Sequence, residues 1–175
     1  MDVWDYKPVF SKRNGKEIIE VYKEPLKINK KKGVITSGDF IFYVQNGEHY
    51  ARIDLNSEQA LLLAKGLSLA VDILFKRYLK EEYLVFEYEN DGRRLEVTTR
   101  DDTFNFYIYH SEDHYAAAQI SIADANYLAE MLRYDVLVEH AQMVAIQQAI
   151  MAGVKSKLRG KKPAHNYDPE AMVYG

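Results

Sequence analysis

Four residues in one short stretch are of the types that hold metal: His110, Glu112, Asp113 and His114. Imidazole and carboxylate side chains form zinc sites when the fold gathers them around one point. An earlier stretch argues for a plainer role. Gln45-Asn46-Gly47-Glu48-His49 is a comparable segment that reads as a hairpin turn with a single histidine. Residues 110–114 are therefore expected to be a turn whose side chains have changed, with no metal bound. Asp91 followed by Glu96-Val97-Thr98 has the outline of a restriction-type nuclease hairpin but lacks its lysine. Glu139-His140 are helix neighbours that point in different directions. No glycine-rich dinucleotide loop, phosphate loop or Gly-x-Ser-x-Gly elbow is present. The chain is expected not to be an enzyme and to need no cofactor.

Stacking chemistry has a broader basis, in the 14 tyrosines. If Ile19/Val21, Leu26/Ile28, Phe40/Phe42 and Ile53/Leu55 face a core, strand alternation turns their neighbours outward. The first half of the chain then exposes Glu20, Tyr22, Lys27, Asn29, Tyr43, Tyr50, Arg52 and Asp54 on one surface. The second half exposes Glu87, Arg94, Glu96, Thr98, Asn105, Tyr107, Tyr109 and Tyr115. Tyrosine offers a flat apolar ring with a polar tip, which suits a stacked base. Lys27, Arg52 and the Lys30-Lys31-Lys32 loop add positive charge suited to a phosphate backbone. The candidate nucleic-acid-binding residues are thus Tyr22, Lys27, Lys30, Lys31, Lys32, Tyr43, Tyr50, Arg52, Arg94, Tyr107, Tyr109 and Tyr115. Tyrosines also pair across strands for stability alone, which is the competing account of the same pattern.

The elements that position these residues follow from an internal likeness. Phe40-Ile41-Phe42-Tyr43-Val44 matches Phe104-Asn105-Phe106-Tyr107-Ile108, and His49-Tyr50-Ala51 matches His114-Tyr115-Ala116. Self-similarity of this kind points to a repeated supersecondary unit. In the first unit, strands are expected over 17–22, 26–29, 40–45 and 49–55, with Asn46-Gly47 as a hairpin turn. Asn56 or Ser57 then caps a helix running to about 79, with Gln59 as capping-box partner. The second unit repeats the order with strands over 83–89, 93–99, 104–109 and 114–122. Asp124 is expected to cap a last helix that Gly153 stops. The fold class is therefore α+β, in tandem ββββα-ββββα units with two antiparallel four-stranded sheets and packed helices.

The domain plan has an N-terminal arm over 1–16, one unit over 17–80, a second over 81–153 and a mobile basic tail over 154–175. The two units are expected to form one compact body. The absence of cysteine excludes disulfides and thiolate chemistry. No apolar run is long enough for a membrane span and no signal peptide is visible, so a cytoplasmic location is expected. The net charge of −3 conceals a separation of signs. Residues 1–33 hold nine basic and five acidic side chains, whereas residues 81–139 hold four and fourteen. Such separation fits a charged partner or self-association. The last helix is too long for the sheet it covers. Its surplus, with Leu137, Ala141, Val144 and Met151, is expected to form a homo-oligomer interface.

Over about 17–153 the element order resembles the Whirly family of single-stranded nucleic-acid-binding proteins. It is also similar to the PC4-like transcription coactivators and to PUR repeats. Lys30-Lys31-Lys32-Gly33 is similar to the lysine-glycine segments of the first two. The resemblance implies sequence-tolerant binding of single-stranded DNA or RNA across the sheets of an oligomer. The alternative expectation is a structural or protein-interaction module that oligomerises through its last helix. An enzyme with a site made only by folding is a third.

Overall fold

In the computed structural model, which describes residues 6–76 and 81–158, twelve elements follow one another. Strands β1 (Phe10–Asn14), β2 (Glu17–Lys23), β3 (Lys27–Asn29), β4 (Val34–Thr36), β5 (Phe40–Asn46) and β6 (His49–Leu55) lead into helix α1 (Ser57–Lys76). Strands β7 (Tyr83–Asn90), β8 (Arg93–Arg100), β9 (Thr103–Ser111) and β10 (His114–Ser121) lead into helix α2 (Ile122–Leu158). Two four-stranded antiparallel sheets result, ordered β1-β2-β5-β6 and β10-β9-β8-β7. The fold is α+β as expected, but the first sheet is assembled differently.

Residues 10–14, expected within an arm, are instead the edge strand of that sheet. Phe10 sits opposite Val21 and is buried, while Ser11, Lys12, Arg13 and Asn14 are exposed. One inward apolar residue is enough for an edge strand whose other positions meet water. Gly15, with φ of 61°, turns β1 into β2. Residues 27–29, expected inside the sheet, instead pair with β4 in a separate two-stranded hairpin. The chain thus leaves the sheet after β2 and re-enters it at β5, which pairs directly with β2.

The inward positions of both sheets are mostly apolar. Ile19, Val21, Phe40, Phe42, Val44, Ala51, Ile53 and Leu55 are buried in the first sheet. Leu95, Val97, Phe104, Phe106, Ile108, Ala116, Ala118 and Ile120 are buried in the second. Helix α1 buries Ala60, Leu63, Ala64, Leu67, Ala70 and Val71 at helical spacing. Asn56 Oδ1 accepts the Gln59 amide at 2.9 Å and caps it. Gly66 allows α1 to approach β7, since a Cβ there would lie 2.7 Å from the Val85 carbonyl oxygen. Helix α2 begins with buried Ala125, Leu128, Ala129 and Leu132. Its cap is Ser121, whose Oγ accepts the Asp124 amide at 3.1 Å. Asp124, expected as the cap, sits within the first turn and pairs with Lys12 at 3.4 Å. Arg133 donates to Ser68 Oγ at 2.8 Å, linking α2 to α1.

Helix α2 runs for 37 residues, through Gly153 rather than stopping there, a length of about 56 Å at 1.5 Å per residue. The tail expected after it lies largely outside the described residues, as does the start of the arm. The two sheets, α1 and α2 as far as Tyr134 make one compact unit. The Pro25–Gly38 hairpin and α2 from Asp135 make another. In that second unit the buried Glu139 carboxylate accepts the Gly38 amide at 3.3 Å.

Candidate nucleic-acid interface

Strand register decides which outward residues meet. In the first sheet, Glu20, Tyr43 and Arg52 form one cross-strand row, Ile18, Gln45 and Tyr50 the next, and Tyr22, Ile41 and Asp54 a third. Tyr43 and Tyr50 lie with ring centroids 6.3 Å apart and planes tilted 31°. The Tyr43 hydroxyl donates to Gln45 Oε1 at 2.7 Å, and Arg52 lies 3.4 Å from the Asp54 carboxylate. Tyr50 is 65% exposed. Tyr22 departs from the expectation of an open stacking ring. It is buried with Ile41 under Tyr6, and its hydroxyl donates to Glu20 Oε2 at 3.0 Å. Burial, reinforced by the Glu20 carboxylate, pushes its hydroxyl up to about 12.

The second sheet carries the fuller aromatic surface. Glu96, Tyr107 and Ala117 form one row, and Arg94, Tyr109 and Tyr115 the next. Tyr107 and Tyr109 are stacked at 6.3 Å, while Tyr115 lies 5.3 Å from Tyr109 and 6.3 Å from Tyr107. Three rings therefore make one continuous platform. The Arg94 guanidinium lies over Tyr109, 4.5 Å from the ring centre, with a terminal nitrogen 3.7 Å from the Glu96 carboxylate. Its plane extends the aromatic surface as well as adding charge. Burial, then the Glu82 carboxylate, raises the Tyr107 hydroxyl above its usual range. Burial and Glu96 raise Tyr109, with Arg94 pulling the other way. Burial, then Glu20, does the same for Tyr43.

The two sheets are tied along β6, the free edge of the first. Its carbonyls at Tyr50, Arg52 and Asp54 accept from His110 Nε2 at 3.1 Å, Arg93 Nη1 at 2.9 Å and Asn90 Nδ2 at 3.4 Å. These bonds occupy edge carbonyls that would otherwise recruit another strand. One of these bonds involves a histidine of the stretch whose residue types suggested metal chemistry. His110 serves the Tyr50 carbonyl, and His114 Nδ1 lies 3.2 Å from Ser111 Oγ. A carboxylate group the sequence did not suggest, Glu24, Asp39 and Asp54, has oxygens within 4.8 Å of one another. It gathers because β2, β5 and β6 bring strand ends together.

The lysines belong to a different element from the tyrosines. Lys27, Lys30, Lys31 and Lys32 are exposed on the β3–β4 hairpin, so Lys27 is not on the first sheet's outer face as alternation had placed it. On α2, Leu137 is 68% exposed, Val144 40% and Met151 52%, with Ala141 exposed between them. Three further features were not anticipated: Arg93, Glu82 beside Tyr107, and a cleft of about 470 Å³ where Asn46 and His49 meet Tyr107 and the Asp113–Ala117 segment, His114 included. Ala117 was findable, since matching His49-Tyr50-Ala51 to His114-Tyr115-Ala116 sets it where the first sheet has Arg52.

No helix among the described residues is long and apolar enough to cross a membrane. No protein-family model matches the chain, and no curated protein matches it. Among solved structures, WHY1 from Arabidopsis thaliana is similar at 12% identity with a TM-score of 0.47, over 90% of this chain and 96% of that one. A protein of unknown function from Prochlorococcus sp. NATL2A, also 12% identical, has a TM-score of 0.30 over 71% of this chain and 97% of its own.

Proposed function

We propose that this protein binds single-stranded nucleic acid without catalysing a reaction on it, and does so as a homo-oligomer. The observation that carries the reading is the outward tyrosine surface on both sheets: Tyr43 and Tyr50 on one, Tyr107, Tyr109 and Tyr115 on the other. Successive bases stack on such rings whatever their sequence. Arg52 and Arg94 stand within the platforms, and the lysines of the β3–β4 hairpin supply further positive charge for phosphates. Tyr22 supports the surface from beneath rather than stacking. Duplex DNA offers no open base faces to these rings, so single strands are the favoured form. Fluorescence anisotropy of oligo-dT, oligo-rU and duplex DNA at two salt concentrations tests this. Single strands bind more tightly than duplex and weaken as salt rises; equal or absent binding of all three removes the reading.

A second reading rests on α2. Leu137, Ala141, Val144 and Met151 recur at spacings of four, three and seven residues and are all exposed, the pattern of a helix that docks on another. On this reading the chain is an interaction module. A defined oligomer by light scattering, with no retention of any single-stranded oligonucleotide, would favour it.

A further inference from the structure

The first sheet has fewer outward rings of its own than the second. In register and in the internal likeness, Tyr43 corresponds to Tyr107 and Tyr50 to Tyr115, but Gln45 stands where the second sheet has Tyr109. The next row along β5 offers no open ring either. Ile41 is aliphatic, and Tyr22 beside it is 5% exposed with its hydroxyl on Glu20. Both point to the outer side of the sheet, where residues of this kind stay dry only under a cover. The ring packed on them is Tyr6.

Tyr6 is held in place by the chain that follows it. Phe10, buried at the start of β1, anchors the segment in the core. One residue back, the Val9 amide donates to the Val21 carbonyl at 2.8 Å. Pro8 has a fixed φ and confines Lys7 to extended backbone, so little conformational freedom is left between that hydrogen bond and Tyr6. The Tyr6 ring rests on Tyr22 and Ile41 yet is itself only partly buried, and Lys7 is exposed. A ring supported from beneath, with a cation next to it in the chain, combines the stacking and the charge that a single strand needs.

We propose that Tyr6 is the third stacking ring of the first platform, with Lys7 meeting the phosphate alongside. This role rests on the nucleic-acid reading above and extends the track beyond Tyr43, to the row where the sheet's own strands have no open ring. Tyr22 and Ile41 are positioning residues here, since they touch Tyr6 and not the base. Stacking on a ring face is tolerant of sequence, so the added contact strengthens binding of any single strand.

The test separates stacking from mere cover. Tyr6→Leu keeps an apolar side chain over Tyr22 and Ile41 but has no ring face, whereas Tyr6→Phe keeps the ring. By anisotropy with oligo-dT, Tyr6→Leu weakens binding about tenfold, within the range for one stacked base, and Tyr6→Phe binds like the parent protein. Thermal midpoints of both stay close to the parent's. A second readout needs no loss of affinity. The chain has one tryptophan, Trp4, so combining Trp4→Phe with Tyr6→Trp leaves a single indole at position 6. Its fluorescence is quenched when oligo-dT binds and a base stacks on it. Should Tyr6→Leu lower the midpoint, this indole signal decides alone. Parent-like or tighter binding by a stable Tyr6→Leu overturns the assignment, the tighter case meaning that the ring obstructs the strand. An indole that stays unquenched at saturating oligo-dT overturns it too. Each of these results is obtained on protein that binds oligo-dT, so single-strand binding survives them. Failure of the parent protein to bind oligo-dT removes the nucleic-acid reading together with the role of Tyr6.

Discussion

Tyr22 and Tyr50 differ by four strand positions in the register but have opposite surroundings, and that separates what their loss would do. Tyr50 is 65% exposed beside Tyr43, so Tyr50→Ala removes a stacking ring with little effect on the core. Its cost is expected in affinity for single strands, about 1–3 kcal/mol if a base stacks there, with the thermal midpoint nearly unchanged. Tyr115→Ala should behave alike on the second sheet. Tyr22 is 5% exposed under Tyr6, so its ring contributes to stability instead. Its hydroxyl is raised from 10.0 to about 12 by burial and by Glu20. A folded value above the unfolded one means that the unfolded chain loses its proton first as pH rises. The stability this group contributes is therefore intact below about pH 10 and is lost as pH climbs through about 12. The loss amounts to at most about 3 kcal/mol for this group. Tyr43, Tyr107 and Tyr109 are raised too and act in the same direction. Urea midpoints measured from neutral pH into this range should fall, and fall less steeply in Tyr22→Phe. An unchanged slope in that variant would mean the Tyr22 hydroxyl titrates alike in both states.

Among the elements, the contact of α1 with β7 is the most exacting. Gly66 passes so near Val85 that an added methyl would lie 2.7 Å from the carbonyl oxygen, against backbone that has no free rotation to yield. Gly66→Ala would gain about 1 kcal/mol from helix propensity, yet overpacking of this sort costs about 1–3 kcal/mol. A lowered thermal midpoint is expected, and a raised one would show that α1 can shift away from β7. The same strands show how far sequence alone could reach. Alternation located Tyr43, Arg52, Glu96 and Tyr107 because each stands between two buried apolar residues, but it could not mark Ala117, which stands between two other alanines. It could not see β1, where Phe10 is the one inward apolar residue before four polar ones. It also misread 27–29, since Leu26 and Ile28 alternate as a sheet strand would, and only pairing reveals that their partner is β4. The helix ends were blurred by chemistry that several residues share: Ser121 and Asp124 both make good caps, and Gly153 is tolerated where a helix continues. Cross-strand company is not written in any one strand, and only the internal repeat hints at it. That Tyr109 stacks under Arg94, or that Ala117 opens a cleft beside Tyr107, depends on register between strands distant in the chain.

At the scale of the whole molecule, charge and helix surface make separable contributions to binding. The exposed lysines at 30–32 belong to the β3–β4 hairpin and not to a tyrosine-bearing strand, so their effect should be read in salt dependence rather than in base stacking. Replacing all three with alanine should flatten the dependence of affinity on salt by about 0.7 per lost phosphate contact, the single-strand value, while Tyr50→Ala leaves that slope alone. The α2 surface acts through valency. Leu137 and Val144 are 68% and 40% exposed, and burying such side chains against a second helix is worth about 1.5–3 kcal/mol each. Leu137→Glu combined with Val144→Glu places like charges at any symmetric contact through this face, so light scattering should report a smaller species than the parent protein. Linking several platforms in one assembly raises apparent affinity only for a strand long enough to engage more than one. The double variant should therefore lose affinity for long oligonucleotides while matching the parent on ones that fill a single platform. Unchanged mass in the double variant would place the assembly contact elsewhere. Equal losses on short and long strands would mean that α2 supports the binding surface itself rather than its multiplicity.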